Sequence, residues 1–239
     1  MNAQELIKDI RSFCESHADP EIVQKYARYF KEGYDAYGLP SGEFMAKVKD
    51  LLASNTFTVE TVVESSYELM KSEKYELPSF AMQLLKGFSN QFTKDTFTVI
   101  EHWFPVGIRN WAHTDGLCSE LLSPMIQKKI ITMKDFAPWR KSNYRFQRRA
   151  VPVALIKSVK KSPDVMPYLD FLDPMMMDTE RVVHQGLGWF LREAWKVHPI
   201  QVETFLMKWK NDAARLIFQY ATEKMAKEER LRFRRNQNP

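Results

Sequence analysis

Two cysteines, Cys14 and Cys118, are too few for a disulfide framework or a cysteine-based zinc site. There are only 8 glycines, β-branched runs are scarce, and no Asn-Gly or Asp-Gly pair joins two alternating segments, which together argue against a sheet protein. No stretch approaches ~18 uninterrupted apolar residues, so no membrane span is expected. The start, MNAQELIKDIRSF, carries charges throughout and lacks the apolar core of a secretory leader. His17, His102, His113, His184 and His198 form no His-Glu-x-x-His motif, there is no Gly-rich phosphate loop, and no Ser or Cys sits in a nucleophile signature. Neither metal nor cofactor is therefore expected, and the cytoplasm is the default compartment.

What is present describes an ordinary globular protein: 239 residues, 44% hydrophobic and 27% charged, long enough for one large or two small domains. The formal charge is +5, with a pI near 9.0. The basic residues cluster. Arg140, Lys141, Arg145, Arg148 and Arg149 precede Lys157, Lys160 and Lys161, and Lys224, Lys227, Arg230, Arg232, Arg234 and Arg235 form a second group. Clustering of this kind is the footprint of a polyanion binder, although a charged terminus is often merely solvated.

The pattern along the chain is helix, short break, helix. Helices are predicted near 3–16, 20–37, 42–53, 59–71, 78–88, 93–103, 109–121, 124–131, 143–160, 163–172, 178–197, 199–210 and 211–234, with Ser41 and Thr58 as N-caps and Pro78 in a first turn. Four segments share an apolar-polar-x-small outline: LPSFAMQLL from Leu77, RNWAHTDGL from Arg109, FQRRAVPVAL from Phe146 and VHQGLGWFL from Val183. Their spacing is close to the ~40-residue period of HEAT-type repeats. The expected fold is all-α, a HEAT-like helical-repeat solenoid of about 12–14 helices stacked as antiparallel pairs with a concave basic face. No linker divides the chain, so 1–239 is expected to be one domain, with 224–239 as a basic and possibly frayed tail.

Trp111, Arg148 and Trp189 follow one another at steps of 37 and 41 residues. In a repeat array, residues one period apart line the same surface. Trp111 and Asp115 are four apart, on one face of a helix. Taken singly, each residue has an ordinary reading: a solvated aspartate, a core tryptophan, a surface Arg148–Arg149 pair. Gly186 and Gly188 beside Trp189 weaken a helix by roughly 1 kcal/mol each, which suggests close backbone approach or a tightly packed neighbouring helix.

Together these residues carry a resemblance. PEIVQKYARYFKEGYDAYGL contains an Ala-Arg-Tyr, Trp111-Ala-His-Thr-Asp115 matches Trp-x-x-x-Asp, Gln147-Arg148-Arg149-Ala150 matches Gln-Arg-x-Ala, and Gly188-Trp189-Phe190-Leu191-Arg192-Glu193 matches Gly-Trp-x-Leu-Arg-Glu. In order and spacing the chain resembles, from about Pro20 to Pro199, the AlkD-type family of DNA alkylation repair proteins, HEAT-like glycosylases that excise alkylated purines. The resemblance implies Asp115 as catalytic carboxylate, Trp111 and Trp189 as its flanking indoles, and Arg148 and Tyr29 as DNA contacts; Arg149 and Arg192 are further candidates for binding DNA. Asn110, Ala112 and His113 depart from the family's commonest residues.

The residue types suit the implied reaction. An N3- or N7-alkylated purine is already cationic and leaves without protonation. The group needing stabilisation is a sugar with oxocarbenium character, which Asp115 can provide while orienting water at C1′. Indoles favour a cationic base by ~0.5–2 kcal/mol through cation–π contact, and arginine can clamp a phosphate. The family also implies an open surface without a base-holding pocket. The expected partner is duplex DNA with alkylated purines, the protein is expected to be a nucleoid-associated monomer, and the alternatives are a catalytically silent HEAT-repeat protein that binds damaged or branched DNA, or a protein-interaction scaffold.

Overall fold

A computed structural model describes residues 1–31 and 33–236; 237–239, the end of the predicted tail, lie outside the described residues. The chain divides into two compact units, Met1–Leu121 and Leu122–Pro239. Among the described residues there are fourteen α-helices and no strand.

The first unit contains α1 (Ala3–Ser16), α2 (Pro20–Ala27), α3 (Ser41–Ala53), α4 (Val59–Lys71), α5 (Glu76–Gly87), α6 (Lys94–Val106) and α7 (Trp111–Leu117). Local chemistry starts several of them. Asn2 and Glu5 form a reciprocal capping box on α1, with the Asn2 Oδ1 accepting from the Glu5 N–H at 2.9 Å and the Glu5 Oε2 from the Asn2 N–H at 2.8 Å. Asp19 caps α2, accepting from the Glu21 N–H at 2.8 Å, with Pro20 in the first turn. Thr58 holds the N-cap position of α4 as predicted, whereas Ser41 lies inside α3 and Pro40 precedes it. The helix α4 packs on α1, α5 and α6, and buries Val62 and Leu69 against a core that includes Leu6, Ile10, Phe80 and Trp103.

A π-helical turn, Cys118–Leu122, stands at the junction of the units. The second unit contains α8 (Ser123–Gln127), α9 (Arg145–Val159), α10 (Met166–Leu172), α11 (Arg181–Trp195), α12 (Pro199–Trp209), α13 (Arg215–Ala221) and α14 (Lys227–Leu231). Here α11 is central, packed on α9, α12 and α13 through Val183, Leu187, Phe190 and Ala194.

The repeat shows in the polar contacts. The Trp103 indole donates to the Ser66 hydroxyl at 3.1 Å across 37 residues, and the Gln83 amide donates to Glu120 at 2.9 Å, also across 37. In the second unit the Gln185 amide donates to the Tyr220 hydroxyl at 2.8 Å across 35 residues. One period of sequence thus returns the chain to the neighbouring layer.

Two predicted helices are shorter than expected. The helix placed at 20–37 ends at Ala27, because the following segment is bound elsewhere: Tyr37 accepts from the Asp19 N–H at 2.9 Å, and Glu76 takes up the N–H groups of Tyr37, Gly38 and Leu39. Gly38 has φ +85°, and a Cβ there would meet the Asp19 carbonyl oxygen at 2.1 Å, so the return of the chain onto α2 requires glycine. The helix placed at 211–234 is two helices, α13 and α14. Between them Met225 is buried, and Arg230 donates from Nε to the Met225 carbonyl at 2.9 Å and from Nη2 to the Glu223 carbonyl at 2.8 Å. Beyond α14, Phe233 is buried and its carbonyl accepts from Arg215 at 2.9 Å, so the basic stretch is anchored as far as the described residues extend.

The two glycines of α11 answer to packing. A Cβ on Gly188 would lie 2.5 Å from the Tyr220 Cβ and 2.7 Å from the Ile217 carbonyl, so α13 approaches α11 only because Gly188 has no side chain; at Gly186 the nearest atom, the Arg149 Cγ, is 3.2 Å away. Gly188→Ala is expected to destabilise by about 1–3 kcal/mol despite the better helix propensity of alanine, because backbone must move. Gly186→Ala is expected to be close to neutral. Urea denaturation of the two variants checks this, and equal effects would contradict it.

Candidate active site

The short helix α7 is fixed by its own start. Asn110 is extended (φ −144°, ψ 163°) and its side chain accepts from the His113 N–H at 2.8 Å, a standard cap. The Asn110 amide nitrogen also lies 3.0 Å from the His113 Nδ1, while the His113 Nε2 lies 2.9 Å from the Tyr75 carbonyl and 3.1 Å from the Ser79 hydroxyl. Only a neutral ring protonated on Nε2 satisfies this network, with Nδ1 accepting from the amide. Burial holds the imidazole pKa down to about 4, against a smaller upward push from the Tyr75 carbonyl. The ring also stacks on Tyr75 at 4.4 Å. By these contacts α7 is clamped to α5.

Clamping α7 sets the direction of Trp111 and Asp115. Trp111 opens the helix, and Asp115 follows one turn later on the same face. The Trp111 side chain is 38% exposed rather than buried. Its indole N–H donates to the Tyr29 carbonyl at 3.2 Å, and its ring stacks on Phe30 at 5.7 Å with an interplanar angle of 18°. Tyr29 is 52% exposed; the Arg28 guanidinium lies 5.0 Å above its ring and donates to its hydroxyl at 3.1 Å. Asp115 is partly buried. Of the residues predicted from sequence, this unit brings Tyr29 and Trp111 into contact and carries Asp115 on the same helix as Trp111.

The second unit carries the other four. On α9, Arg148 donates to Asp178 through Nε at 2.6 Å and Nη2 at 3.3 Å, and to the Ser142 carbonyl through Nη1 at 2.6 Å. Three of the five N–H groups of this guanidinium are therefore engaged. Arg149 is only 5% exposed, and its guanidinium donates to the Val182 carbonyl at 2.8 Å. Its place in the structure is as a tie between α9 and α11, out of reach of a phosphate, contrary to the sequence expectation. Trp189 lies on α11 and is partly exposed, with the buried Gly188 on one side and the buried Phe190 on the other. Arg192 donates to Glu193 at 3.3 Å and pairs with Glu223. Glu193, the last residue of the Gly-Trp-x-Leu-Arg-Glu block, also accepts from Lys196 at 2.6 Å and lies 3.3 Å from Lys160. Burial pushes its carboxyl up, but the two lysines outweigh that and hold it below the usual carboxylate range.

The sequence of this chain between residues 10 and 225 matches the model of a family described as DNA alkylation repair enzyme. The chain belongs to that family. Membership implies a role in repair of alkylation damage, with DNA as the partner. Two solved structures share the fold. One, described as a predicted DNA alkylation repair enzyme from Enterococcus faecalis, is 18% identical, covers 88% of this chain and 98% of its own, and has a TM-score of 0.76. The other, AlkD2 from Streptococcus mutans, is 17% identical, covers 87% of this chain and 98% of its own, and has a TM-score of 0.57. Among curated proteins no match was found. The helical-repeat fold read from sequence is thus the fold of this family.

Among the described residues no three His, Cys, Asp or Glu side chains gather as metal ligands, and no helix is long and apolar enough to cross a membrane. The residues that sequence reasoning passed over are the supports: Phe30, Tyr75, Glu76 and Asp178. Asp178 stands 30 residues from Arg148, and nothing local to it signals the pairing.

Two predictions follow from these supports. In the unfolded chain His113 titrates near 6.5, and in the folded chain near 4, so the unfolded state takes up the proton first and stability falls as pH drops through that window. The loss is up to about 3 kcal/mol. His113→Gln removes it, so urea midpoints between pH 7.5 and 4.5 should fall further for the parent than for the variant; parallel falls would contradict the buried neutral ring. Arg148→Ala leaves Asp178, whose side chain is 8% exposed, without its counter-charge. It should destabilise by about 3 kcal/mol, and adding Asp178→Ala should recover part of this in a double-mutant cycle; strict additivity would show the pair to be unimportant.

Proposed function

We propose that the protein is a monofunctional glycosylase hydrolysing the N-glycosidic bond of cationic N3- or N7-alkylated purines in duplex DNA. The observation that carries this reading is the exposed face of α7. Trp111 is held open to solvent by a hydrogen bond and a ring stack, and a carboxylate stands one turn further along. A protein scaffold has no need to fix an indole in this way.

The chemistry follows from the charges. The alkylated base is a good leaving group, so no general acid is required. Asp115 stabilises positive charge developing on the deoxyribose and orients the attacking water at C1′, as a preorganised group that needs no rearrangement. Trp111 presents its ring to the cationic base, worth ~0.5–2 kcal/mol according to how far the contact is desolvated. Trp189 supplies a second indole. Arg148, braced by Asp178, offers its two remaining N–H groups to a backbone phosphate. Tyr29 contacts the DNA with its exposed ring, and Arg192 adds positive charge. Arg149 is assigned a structural part.

Incubation with methylated duplex DNA and analysis of the released bases tests this. The parent should liberate 7-methylguanine or 3-methyladenine, and Asp115→Asn should lose about 10²-fold or more of that rate with DNA binding largely retained. Undiminished release by Asp115→Asn would remove Asp115 from the mechanism. Tight, salt-sensitive DNA binding without release by the parent would make the protein a silent binder.

A further inference from the structure

Beside the Trp111–Asp115 face, the first unit contains a cavity of about 530 Å³ that neither residue lines. It is bounded by α2, the segment after it, α5 and the adjacent side of α7, through Ala112, His113 and Gly116. The walls are aromatic. Phe30 and Tyr34 stack at 4.6 Å, Tyr75 meets Phe30 edge-on at 5.6 Å and tilts against Tyr34 at 5.3 Å, and Tyr26 and Phe44 complete the lining. Burial first, and the nearby Glu76 second, push the phenols of Tyr34 and Tyr75 above the ordinary tyrosine range, so these are neutral rings at physiological pH.

One carboxylate faces this apolar space. Glu76 is 5% exposed and lines the cavity. Its Oε1 accepts from the Gly38 and Leu39 N–H groups at 2.8 and 3.3 Å, and its Oε2 from the Tyr37 N–H at 2.9 Å. An oxygen of this kind accepts two hydrogen bonds, so Oε2 has capacity for one further donor. At the mouth stands Lys25, exposed, 5.5 Å above the Tyr26 ring. The volume falls within the roughly 300–1,000 Å³ of small-molecule sites. A cluster built only for stability would close over its rings instead of leaving such a space, since unfilled volume costs packing energy.

We infer that this cavity binds a flat heteroaromatic base of purine size, stacked on the Phe30, Tyr34 and Tyr75 rings, with a ring or exocyclic N–H donating to Glu76. Stacking accepts any base because every base has a π face, and the buried acceptor selects an edge that carries donors. Lys25 at the mouth meets a phosphate when the base arrives as part of a nucleotide. The base has two possible sources, a nucleotide extruded from a duplex or a free base in solution. Phe30 is shared: it lines the cavity and stacks on Trp111, so a base held here bears directly on the ring that holds the indole. The inference rests on the repair reading only in making DNA the polymer that delivers the base, and it requires no bond to break.

The test therefore uses undamaged probes: free 2-aminopurine riboside, and a duplex with one extrahelical 2-aminopurine. Stacking in the cavity quenches the probe. Gly116→Phe blocks the space without removing a core side chain, since a Cβ at Gly116 has nothing within 4 Å. Tyr34→Leu removes one wall. Each variant should weaken binding of the quenched probe by about tenfold or more. Quenching of the duplex probe alone assigns the site to an extruded nucleotide, and quenching of the riboside assigns it to a free base as well. No quenching of either probe by the parent, or quenching unchanged in both folded variants, overturns the inference. A protein that quenches but excises nothing retains this site while losing the glycosylase reading, so the two failures are distinct.

Discussion

A buried, uncharged imidazole holds the reactive helix in place. His113 joins the cap of α7 to the backbone of α5, and the direction of both Trp111 and Asp115 follows from it. A protonated ring could not accept from Asn110, so the network depends on a pKa held far below the ordinary histidine value by burial. The first unit's other buried polar group works in the same way. Glu76 gathers three backbone N–H groups and so fixes the segment that follows α2, from which Tyr29 and Phe30 reach Trp111. The exposed indole is thus the visible end of a chain of satisfied buried hydrogen bonds.

In the second unit the guanidinium groups serve the fold before they serve any ligand. Arg148 is braced by Asp178, Arg149 ties α9 to α11, and Arg192 is held by two carboxylates. Bracing is not idle for a phosphate contact. An arginine already fixed by a carboxylate loses less conformational entropy when its remaining N–H groups meet a phosphate, which favours preorganised binding over a flexible lysine.

Much of this was legible in the sequence, for reasons that differ by element. Helices with a strong start, α1 with Asn2 and Glu5 or α4 with Thr58, fall where their caps put them. The glycines of α11 were readable as a demand for close approach, and Gly188 meets α13. The end of α2 was not readable, because what stops the helix is Glu76, nearly forty residues away, and periodicity carries no trace of such a contact. The break between α13 and α14 was hidden likewise, since Arg230 reads as a solvated charge until its carbonyl partners are seen. Arg148 and Arg149 look alike in sequence, and one residue of helical rotation separates a braced, partly exposed group from a buried tie.

The central claim is that a rigid, exposed indole on α7 recognises positive charge on a damaged base. The most direct measurement compares binding of a duplex bearing 7-methylguanine with one bearing its uncharged 7-deaza isostere, in an Asp115→Asn background that leaves the cationic lesion intact. The cationic duplex should bind tighter by about 2- to 30-fold, the range of a cation–π contact, and Trp111→Leu should erase the difference. Equal affinity for the two duplexes, or a preference that survives loss of the indole, would contradict it.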